Sequence, residues 1–334
     1  MKISASIYSN KQKPLEELVL ELDAHGIDML HVDCRDDDFV LEDLEKIRSI
    51  SKTPIDLHII SSTPEKYFPA IEKLGIEYVS FQYENLNQLP QLNHKGKTQY
   101  GLSITSGTSI EVFEKAKNDY SFIVMMSTVP GKSGGIFNRS SFQKIIEFKY
   151  LYPRIKVHVD GGVNDEIGYI LRLLGVNTVV TGSYLMNHES IGIGLLSFHK
   201  TLNSNHNFKV SEFAVPVSYL PVLKQDQLNF TDTLITIENY GLGFALITDE
   251  LGRLNGIISH ADIRRGLIRT IENLNNVDVK SIINTIPVSI NEENTVSDII
   301  KLLNELNFIV LFLPVVTKNN MLTGVVLLNN LTRV

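Results

Sequence analysis

The sequence predicts an α/β fold, a (β/α)8 barrel followed by a smaller α+β module, from three observations. Up to about residue 186 the chain alternates short β-branched segments with longer amphipathic segments, which is typical of βα units around a parallel sheet. From about residue 212 the pattern changes to pairs of strands joined by polar turns. The length of 334 residues also exceeds one ordinary hydrophobic core and suits two domains.

Eight strand-like segments precede the change of pattern. Helix signals lie between them, as in residues 14–26, which have Pro14 near the start and Gly26 at the end. Eight such units are typical of a TIM barrel, whose functional site lies at the C-terminal ends of the strands. The predicted strands are residues 3–8, 29–33, 55–60, 78–82, 99–104, 122–126, 156–160 and 178–182.

The C-terminal region contains two similar halves. Residues 243–259 and 308–328 each read as two strands joined by a polar turn, and a helix-like segment, 295–307, precedes the second pair. An internal repeat is the simplest explanation. The predicted domains are therefore a barrel at 1–200, a linker at 201–211 and a module at 212–334, with halves of about 212–272 and 278–334.

The composition indicates a cytoplasmic protein that acts on a small molecule. The chain has 31 Lys and Arg against 38 Asp and Glu, a net charge of −7 and no long basic run, which argues against nucleic acid or an anionic membrane as a partner. No apolar segment approaches the roughly 20 residues of a membrane span, and the first residues lack the apolar segment of a signal peptide. The single cysteine, Cys34, has no partner for an intrachain disulfide.

Four polar residues lie at the ends of three predicted strands. His31 and Asp33 end the second strand on one face, because side chains two apart in a strand point the same way. His58 ends the third strand, and Asp160 ends the seventh. Two imidazoles and two carboxylates at one barrel mouth suit zinc or another divalent transition ion. The alternative for each residue alone is a hydrogen-bonded strand histidine or an aspartate that forms a turn.

Glycine-rich loops follow the last three predicted strands, at residues 127–135, 160–163 and 181–183. Glycines expose backbone N–H groups to an anion, and the N-terminus of a helix adds partial positive charge. Barrels commonly hold phosphate after strands seven and eight. The loops therefore predict a ligand that carries a phosphate.

These motifs resemble the D-ribulose-5-phosphate 3-epimerase family over about residues 1–186. The similar segments, in the family's order, are SASIYS, HVDCRDDDFV, DLHI, MSTVPGKSGG, HVDGGV and TGSYL. The resemblance implies an isomerase that epimerises a ketose phosphate at C3 through an enediolate. Its substrate would be ribulose 5-phosphate, xylulose 5-phosphate or a related sugar phosphate.

The resemblance also implies roles for individual residues. One divalent ion, zinc, iron, manganese or cobalt, would bind His31, Asp33, His58 and Asp160, and the two aspartates would transfer protons as base and acid. The implied substrate contacts are Ser6, Met126, Gly134, Gly135, Gly162, Gly182 and Ser183.

The sequence departs from the family around the sugar pocket. Arg35 replaces a methionine, acidic residues continue to Asp38, and Lys132 lies beside the phosphate glycines. A longer or differently substituted ketose phosphate is therefore an alternative substrate. Arg35 would either bind an extra anionic or hydroxyl group or pair with the aspartates that follow it.

Two other functions stay open. Related barrel aldolases and decarboxylases that act on sugar phosphates use an Asp-x-Lys-x-x-Asp arrangement, and DCRDDD is similar to it with Arg in place of Lys. A guanidinium is a poor proton donor, so this alternative is the weaker one. A non-catalytic sugar-phosphate or nucleotide sensor is the other alternative, and the changed segment 35–38 favours it.

The C-terminal third resembles a tandem pair of CBS domains, modules that commonly bind adenine nucleotides and regulate an attached enzyme. In GIISHADIRRGL, Ser259 and Asp262 occupy the places of phosphate and ribose contacts, whereas Leu327 and Asn330 occupy them in the second half. The resemblance implies at most one nucleotide or nucleotide-sugar regulator per chain, and a homo-oligomer. The alternative is a module that only holds the oligomer together.

Overall fold

The computed structural model describes residues 1–37, 39–92, 96–200, 208–270 and 277–332. These residues form two units, one within residues 1–200 and one within residues 208–332. Residues 201–207 of the predicted linker lie outside the described residues, and Val210 already begins a helix. The predicted domain boundaries therefore stay predictions.

The first unit is a closed barrel of eight parallel strands in sequential order. All eight predicted strands are confirmed, with ends that differ by at most two residues. The first strand ends at Ser6 because the chain turns into the 3-10 helix Ile7–Ser9, where Ser9 Oγ donates to Ser6 Oγ at 3.1 Å. The strands are β1 Lys2–Ser6, β2 Met29–Cys34, β3 Ile55–Ile59, β4 Tyr78–Gln82, β5 Gln99–Thr105, β6 Phe122–Met126, β7 Lys156–Asp160 and β8 Thr178–Thr181.

Amphipathic segments between the strands form helices. The first begins after Pro14 and is followed by Gly26 at φ +68°, as the sequence predicts. After β4 and β5 the described connections contain the 3-10 helices Tyr83–Asn85 and Ile110–Lys115 instead of α-helices. None of the described helices has the length and apolar character that crossing a membrane requires. The helices are α1 Leu15–Ala24, α2 Phe39–Ile50, α3 Phe68–Leu74, α4 Ser141–Leu151, α5 Asp165–Leu173, α6 Ser183–Met186 and α7 Ile191–Lys200.

The barrel interior contains an apolar cluster and a group of buried polar side chains. Burying polar groups costs free energy unless they are hydrogen-bonded, so buried polar side chains in a barrel are expected to have hydrogen-bond partners or a functional role. The apolar cluster consists of Met29, Tyr78, Phe122, Val124 and Met126. The buried polar side chains on the strands include Ser4, His31, Asp56, His58, Ser80, Gln82, Ser103 and His158.

The second unit is α+β, with a three-stranded and a four-stranded sheet. Both predicted strand pairs are confirmed as antiparallel hairpins. The turn regions of the two hairpins are hydrogen-bonded to each other. Leu254 N donates to Asn320 O at 2.9 Å, and Leu322 N donates to Gly252 O at 3.1 Å. The elements are α8 Val210–Phe213, β9 Val215–Pro216, β10 Val222–Lys224, α9 Phe230–Tyr240, β11 Phe244–Thr248, β12 Leu254–Ser259, α10 His260–Arg269, β13 Ile290–Asn291, α11 Val296–Glu305, β14 Phe312–Val316 and β15 Leu322–Leu327.

Candidate active site

Four side chains from three strands meet at the C-terminal mouth of the barrel. His31 and Asp33 lie on β2, His58 lies on β3 and Asp160 ends β7. The strand register places Asp33 beside His58. One potential ligand atom from each of the four residues lies within 4.8 Å of the other three. The structure thus brings all four predicted metal ligands together.

The imidazole of His31 is held from behind by a buried carboxylate. Its Nδ1 lies 3.0 Å from Asp56 Oδ2, which also accepts a hydrogen bond of 2.9 Å from Ser4 Oγ. An ionised carboxylate only accepts, so Nδ1 carries the proton and Nε2 keeps its lone pair. This Nε2 is buried without a hydrogen-bond partner among the described residues, 3.4 Å from Asp33 Oδ1 and 3.9 Å from Asp160 Oδ2.

The imidazole of His58 is held in the same way from the other side. Its Nε2 lies 2.8 Å from Gln82 Oε1, and the amide nitrogen of Gln82 donates to Glu84. Glu84 also accepts from Thr105 N at 2.8 Å. Because the Glu84 carboxylate fixes which end of the Gln82 amide faces His58, Nε2 of His58 is the donor. Its Nδ1 then faces Asp33 Oδ1, at 3.1 Å.

This donor set fits a divalent cation. A neutral imidazole has one N–H, and when both histidines use it on the far side, two nitrogen lone pairs and two carboxylates face the same space. These groups repel one another unless positive charge lies between them. Histidine ligands whose other nitrogen donates to a carboxylate or carbonyl oxygen are the usual arrangement around protein-bound metals. Two nitrogens and two oxygens suit zinc, iron, manganese or cobalt.

The two carboxylates of the set have opposite pKa shifts. Burial alone would raise the pKa of Asp33, but His31 and His58, when they carry a second proton that faces Asp33 in place of a cation, hold this pKa well below its usual range. Burial raises the pKa of Asp160 to about 6. Burial would lower the pKa of His31, but the nearby carboxylates of Asp56 and Asp33 keep it well above the usual value, so that without a cation Nε2 of His31 also carries a proton, which a bound ion would replace. Paired groups with separated pKa values are suited to base and acid roles.

A cavity of about 100 Å³ joins this set to the glycine-rich loops. Asp33, Asp160 and Ser6 line it together with residues of the loops after β6, β7 and β8. Of the predicted phosphate contacts, Gly134, Gly162, Gly182 and Ser183 lie on the lining. The structure therefore brings most of the predicted substrate contacts to one cavity that ends at the candidate metal ligands.

Two predicted substrate contacts do not line the cavity. Met126 is 2 % exposed and packs in the apolar cluster with Phe122 and Val124. Gly135 packs against Thr128, whose Cγ2 would lie 2.5 Å from a Cβ added at position 135. Both residues belong to the structure around the cavity and not to its lining.

The cavity also involves residues that the sequence analysis did not single out. Tyr8 and Ser9 line it from the 3-10 helix after β1, and Tyr8 donates to Asp43 Oδ2 at 3.0 Å. Both belong to the segment SASIYS, so the available signal was their membership of this segment. The supporting residues Asp56 and Gln82 were also missed, because their contacts depend on register between strands, which one sequence does not give.

The second unit has a cavity of about 390 Å³ that contains the predicted CBS ligand residues. Ser259 and Asp262 line it, with Arg265, Asn284 and apolar residues around Phe308. Asp262 Oδ2 accepts from Ser259 N at 2.8 Å, and its other oxygen pairs with Arg265. Asp262 thus caps α10 while facing the cavity.

Comparison with known proteins matches both units to families. The model of the ribulose-phosphate 3 epimerase family matches residues 2–186, and that of the CBS domain matches residues 279–334. The ribulose-phosphate 3-epimerase of Bacillus subtilis is 28% identical over 197 residues, 55% of this chain and 91% of the relative. That of Aquifex aeolicus is 30% identical over 180 residues, 50% of this chain and 81% of the relative.

Solved CBS-domain structures also match part of this chain. The structure of CBSX2 in complex with AMP covers 38% of this chain and 95% of its own chain, at 23% identity and a TM-score of 0.32. The CBS family model matches the second half of this unit, and the first half contains a hairpin of the same kind, so the second unit carries a CBS module. Because the epimerase family model matches more than half of the chain and the matched residues form the eight-stranded barrel, this chain belongs to the ribulose-phosphate 3-epimerase family of isomerases.

Proposed function

We propose that this chain interconverts ketose phosphates that differ in configuration at C3, such as ribulose 5-phosphate and xylulose 5-phosphate, through an enediolate. One observation carries the proposal: four candidate ligand atoms, two of them from carboxylates with opposite pKa shifts, meet at one end of a cavity lined elsewhere by glycine-rich loops. Family membership supports the same reaction.

A divalent ion, zinc, iron, manganese or cobalt, binds His31, Asp33, His58 and Asp160 in this proposal. When bound, such an ion supplies positive charge that stabilises the oxygens of the substrate as negative charge develops on them. The chain supplies the rest. Gln82 and Asp56 hold the two imidazoles by their far nitrogens, so that the near nitrogens are free to bind.

Asp33 and Asp160 move the protons. Asp33 is ionised at neutral pH and takes the proton from C3. Asp160 holds a proton far more readily, because burial raises its pKa to about 6, and returns one to the other face of C3. The two residues lie on β2 and β7, separated by β1 and β8 around the barrel, and so approach the cavity from different sides. In the reverse direction their roles exchange.

The proposal is tested by solvent deuterium incorporation. The full chain, with its metal content determined, is incubated in D2O with a panel of pentulose and hexulose phosphates and followed by NMR. We expect deuterium at C3 of at least one compound, only in metal-containing protein. Metal-loaded protein that exchanges no compound would contradict the proposal and indicate an aldol or decarboxylating reaction. Absence of both exchange and metal would indicate a sensor.

Gln82→Leu is expected to weaken metal binding about ten- to a hundredfold, because removing such a supporting contact frees the ligand imidazole to turn or to change tautomer. Gln82 is fully buried, and its Oε1 lies 2.8 Å from His58 Nε2. Competition with a fluorescent chelator measures the affinity. Gln88→Leu, on the exposed connection after β4, is the control. Unchanged affinity in Gln82→Leu would show that Gln82 does not position His58.

The CBS module binds one adenine nucleotide per chain in the cavity of Ser259 and Asp262, and this nucleotide regulates the barrel. The support is a cavity of about 390 Å³ in which Asp262 presents carboxylate oxygens that can accept from ribose hydroxyls. The second half offers Leu327 and Asn330 at the corresponding places.

AMP is expected to raise the melting temperature of the full chain, and Asp262→Asn is expected to reduce that rise. Asp298→Asn is a matched control, because Asp298 caps α11 as Asp262 caps α10 but does not line the cavity. Differential scanning fluorimetry at increasing AMP measures both effects. An equal AMP response in all three proteins would rule out Asp262 as a ligand.

A further inference from the structure

The loop after β6, residues 127–138, crosses the mouth of the barrel. β2 and β6 are four strands apart in the closed eight-stranded barrel and therefore lie on opposite sides. Yet Arg35, just after β2, donates from Nη2 to Pro130 O at 3.1 Å, and Ser133 Oγ donates to Ser9 Oγ, just after β1, at 2.9 Å. The loop is thus held at two points on the far side of the cavity that it lines.

Arg35 packs directly on the backbone of this loop. A Cβ added at Gly131 would lie 2.1 Å from both Nε and Nη2 of Arg35, so the guanidinium occupies the space where a side chain would be. Gly131 also has φ +64°, which glycine adopts without strain. Asp36 pairs instead with Lys66 at 2.9 Å, and Arg35 forms no ion pair with any residue that the structure describes. Of the two roles predicted for Arg35, pairing with aspartates is not seen among these residues.

Lys132, which follows Gly131 in the loop, brings a positive charge to the cavity. Lys132 lines the cavity beside Gly134, and Gly182 and Ser183 line it from the loop after β8. Lys132 forms no ion pair within the described part of the chain and is exposed. Backbone N–H groups supply dipoles to a phosphate, whereas an ammonium group supplies a full charge.

We infer that Lys132 binds the phosphate of the substrate directly. Arg35 is a positioning residue that keeps Lys132 at the cavity by packing against Gly131. The inference rests on the proposed function for the identity of the substrate. A planar guanidinium suits this task, because its Nε and Nη2 both fill the space beside Gly131 while Nη2 donates to Pro130 O. Lysine at position 35 would offer no such plane.

The contribution belongs to binding and not to the chemical step. The phosphate remains bound unchanged while the proton moves at C3, so Lys132 stabilises the ground state and the transition state alike. Loss of this charge therefore raises KM and leaves kcat close to that of the parent chain. A hydrogen bond to a charged group corresponds to about a tenfold change in affinity or more.

The test measures inorganic phosphate as a competitive inhibitor and the sugar phosphate as a substrate, in the full metal-containing chain. Lys132→Met is expected to raise the Ki of phosphate and the KM about tenfold or more, with kcat within about twofold. Lys46→Met, which removes an exposed lysine of α2, controls for net charge and is expected to change neither constant. Equal constants in Lys132→Met and the parent chain would overturn the assignment of Lys132.

A double-mutant cycle separates the two roles. If Arg35 acts through Lys132, Arg35→Ala raises the same two constants, and Arg35→Ala combined with Lys132→Met is no worse than Lys132→Met alone. Additive effects would mean that Arg35 contacts the anion itself and would overturn its positioning role.

The phosphate measurement also stands apart from the reaction. Phosphate binding can be followed by calorimetry in a chain that turns over no ketose phosphate. Lys132-dependent phosphate binding without turnover would contradict the proposed function but support the Lys132 site. Turnover together with phosphate binding that does not depend on Lys132 would support the proposed function but contradict the Lys132 site.

Discussion

Asp33→Asn is expected to lower kcat for epimerisation by about a thousandfold or more, since general acid-base catalysis contributes about 10²- to 10⁴-fold and a metal ligand is lost as well. Asp33 Oδ1 lies 3.4 Å from His31 Nε2 and 3.1 Å from His58 Nδ1, so its charge is central to the set. Coupled assays of both epimers measure the loss. Asp37→Asn, which changes an exposed aspartate in the segment after β2, is the matched control and is expected to keep full turnover.

The two aspartates are then distinguished by hydrogen exchange. If each serves one face of C3, Asp33→Asn loses solvent deuterium exchange with one epimer and keeps some with the other. Asp160→Asn shows the opposite preference, and both variants stop net epimerisation. Exchange lost equally with both epimers in both variants would mean that the aspartates bind metal without transferring protons. Full turnover in metal-bound Asp33→Asn would refute the mechanism.

Removal of the metal is expected to abolish turnover and to lower stability. Treatment with dipicolinate should reduce kcat by about a thousandfold or more, and zinc, iron, manganese or cobalt should restore it. A ligand held at a hundred times its Kd contributes about 2.7 kcal/mol to the folded state, which shifts the melting temperature by several degrees. Stability falls because a carboxylate oxygen of Asp33 and one of Asp160 lie within 4.8 Å of each other, and without a cation their negative charges repel.

Asp33→Asn serves as the control for stability, because a chain that has lost a ligand should show a smaller chelator-dependent change in melting temperature. Metal content by mass spectrometry accompanies each measurement. Full activity in protein that contains far less than one metal ion per chain would contradict the proposed role of His31, Asp33, His58 and Asp160.

The strand pattern was sufficient to predict the barrel and the meeting of four candidate metal ligands at its mouth. His31 and Asp33 are two apart on one strand, and His58 and Asp160 end others, so strand periodicity and barrel topology alone place them at one mouth. The same reasoning could not tell that Met126, which also faces inward, packs below the cavity, because depth in the barrel depends on the register of all strands.

Contacts between distant loops could not be predicted from one sequence. The contact of Arg35 with Pro130 joins residues 95 positions apart, and nothing in the local pattern of either indicates it. The pattern around Arg35 was instead typical of local pairing with the acids that follow. Asp38, the last of these, lies outside the described residues.

The contact between Arg35 and Gly131 also makes these two positions evolutionarily dependent on each other. An alanine at 131 would meet only the end of the long Arg35 side chain, so the fold would lose little beyond the left-handed backbone penalty of about 1–2 kcal/mol. Selection for stability alone would therefore tolerate substitutions of Gly131. Selection for tight substrate binding would remove these substitutions. In relatives that have another residue at position 35, side chains other than glycine should therefore be found more often at position 131.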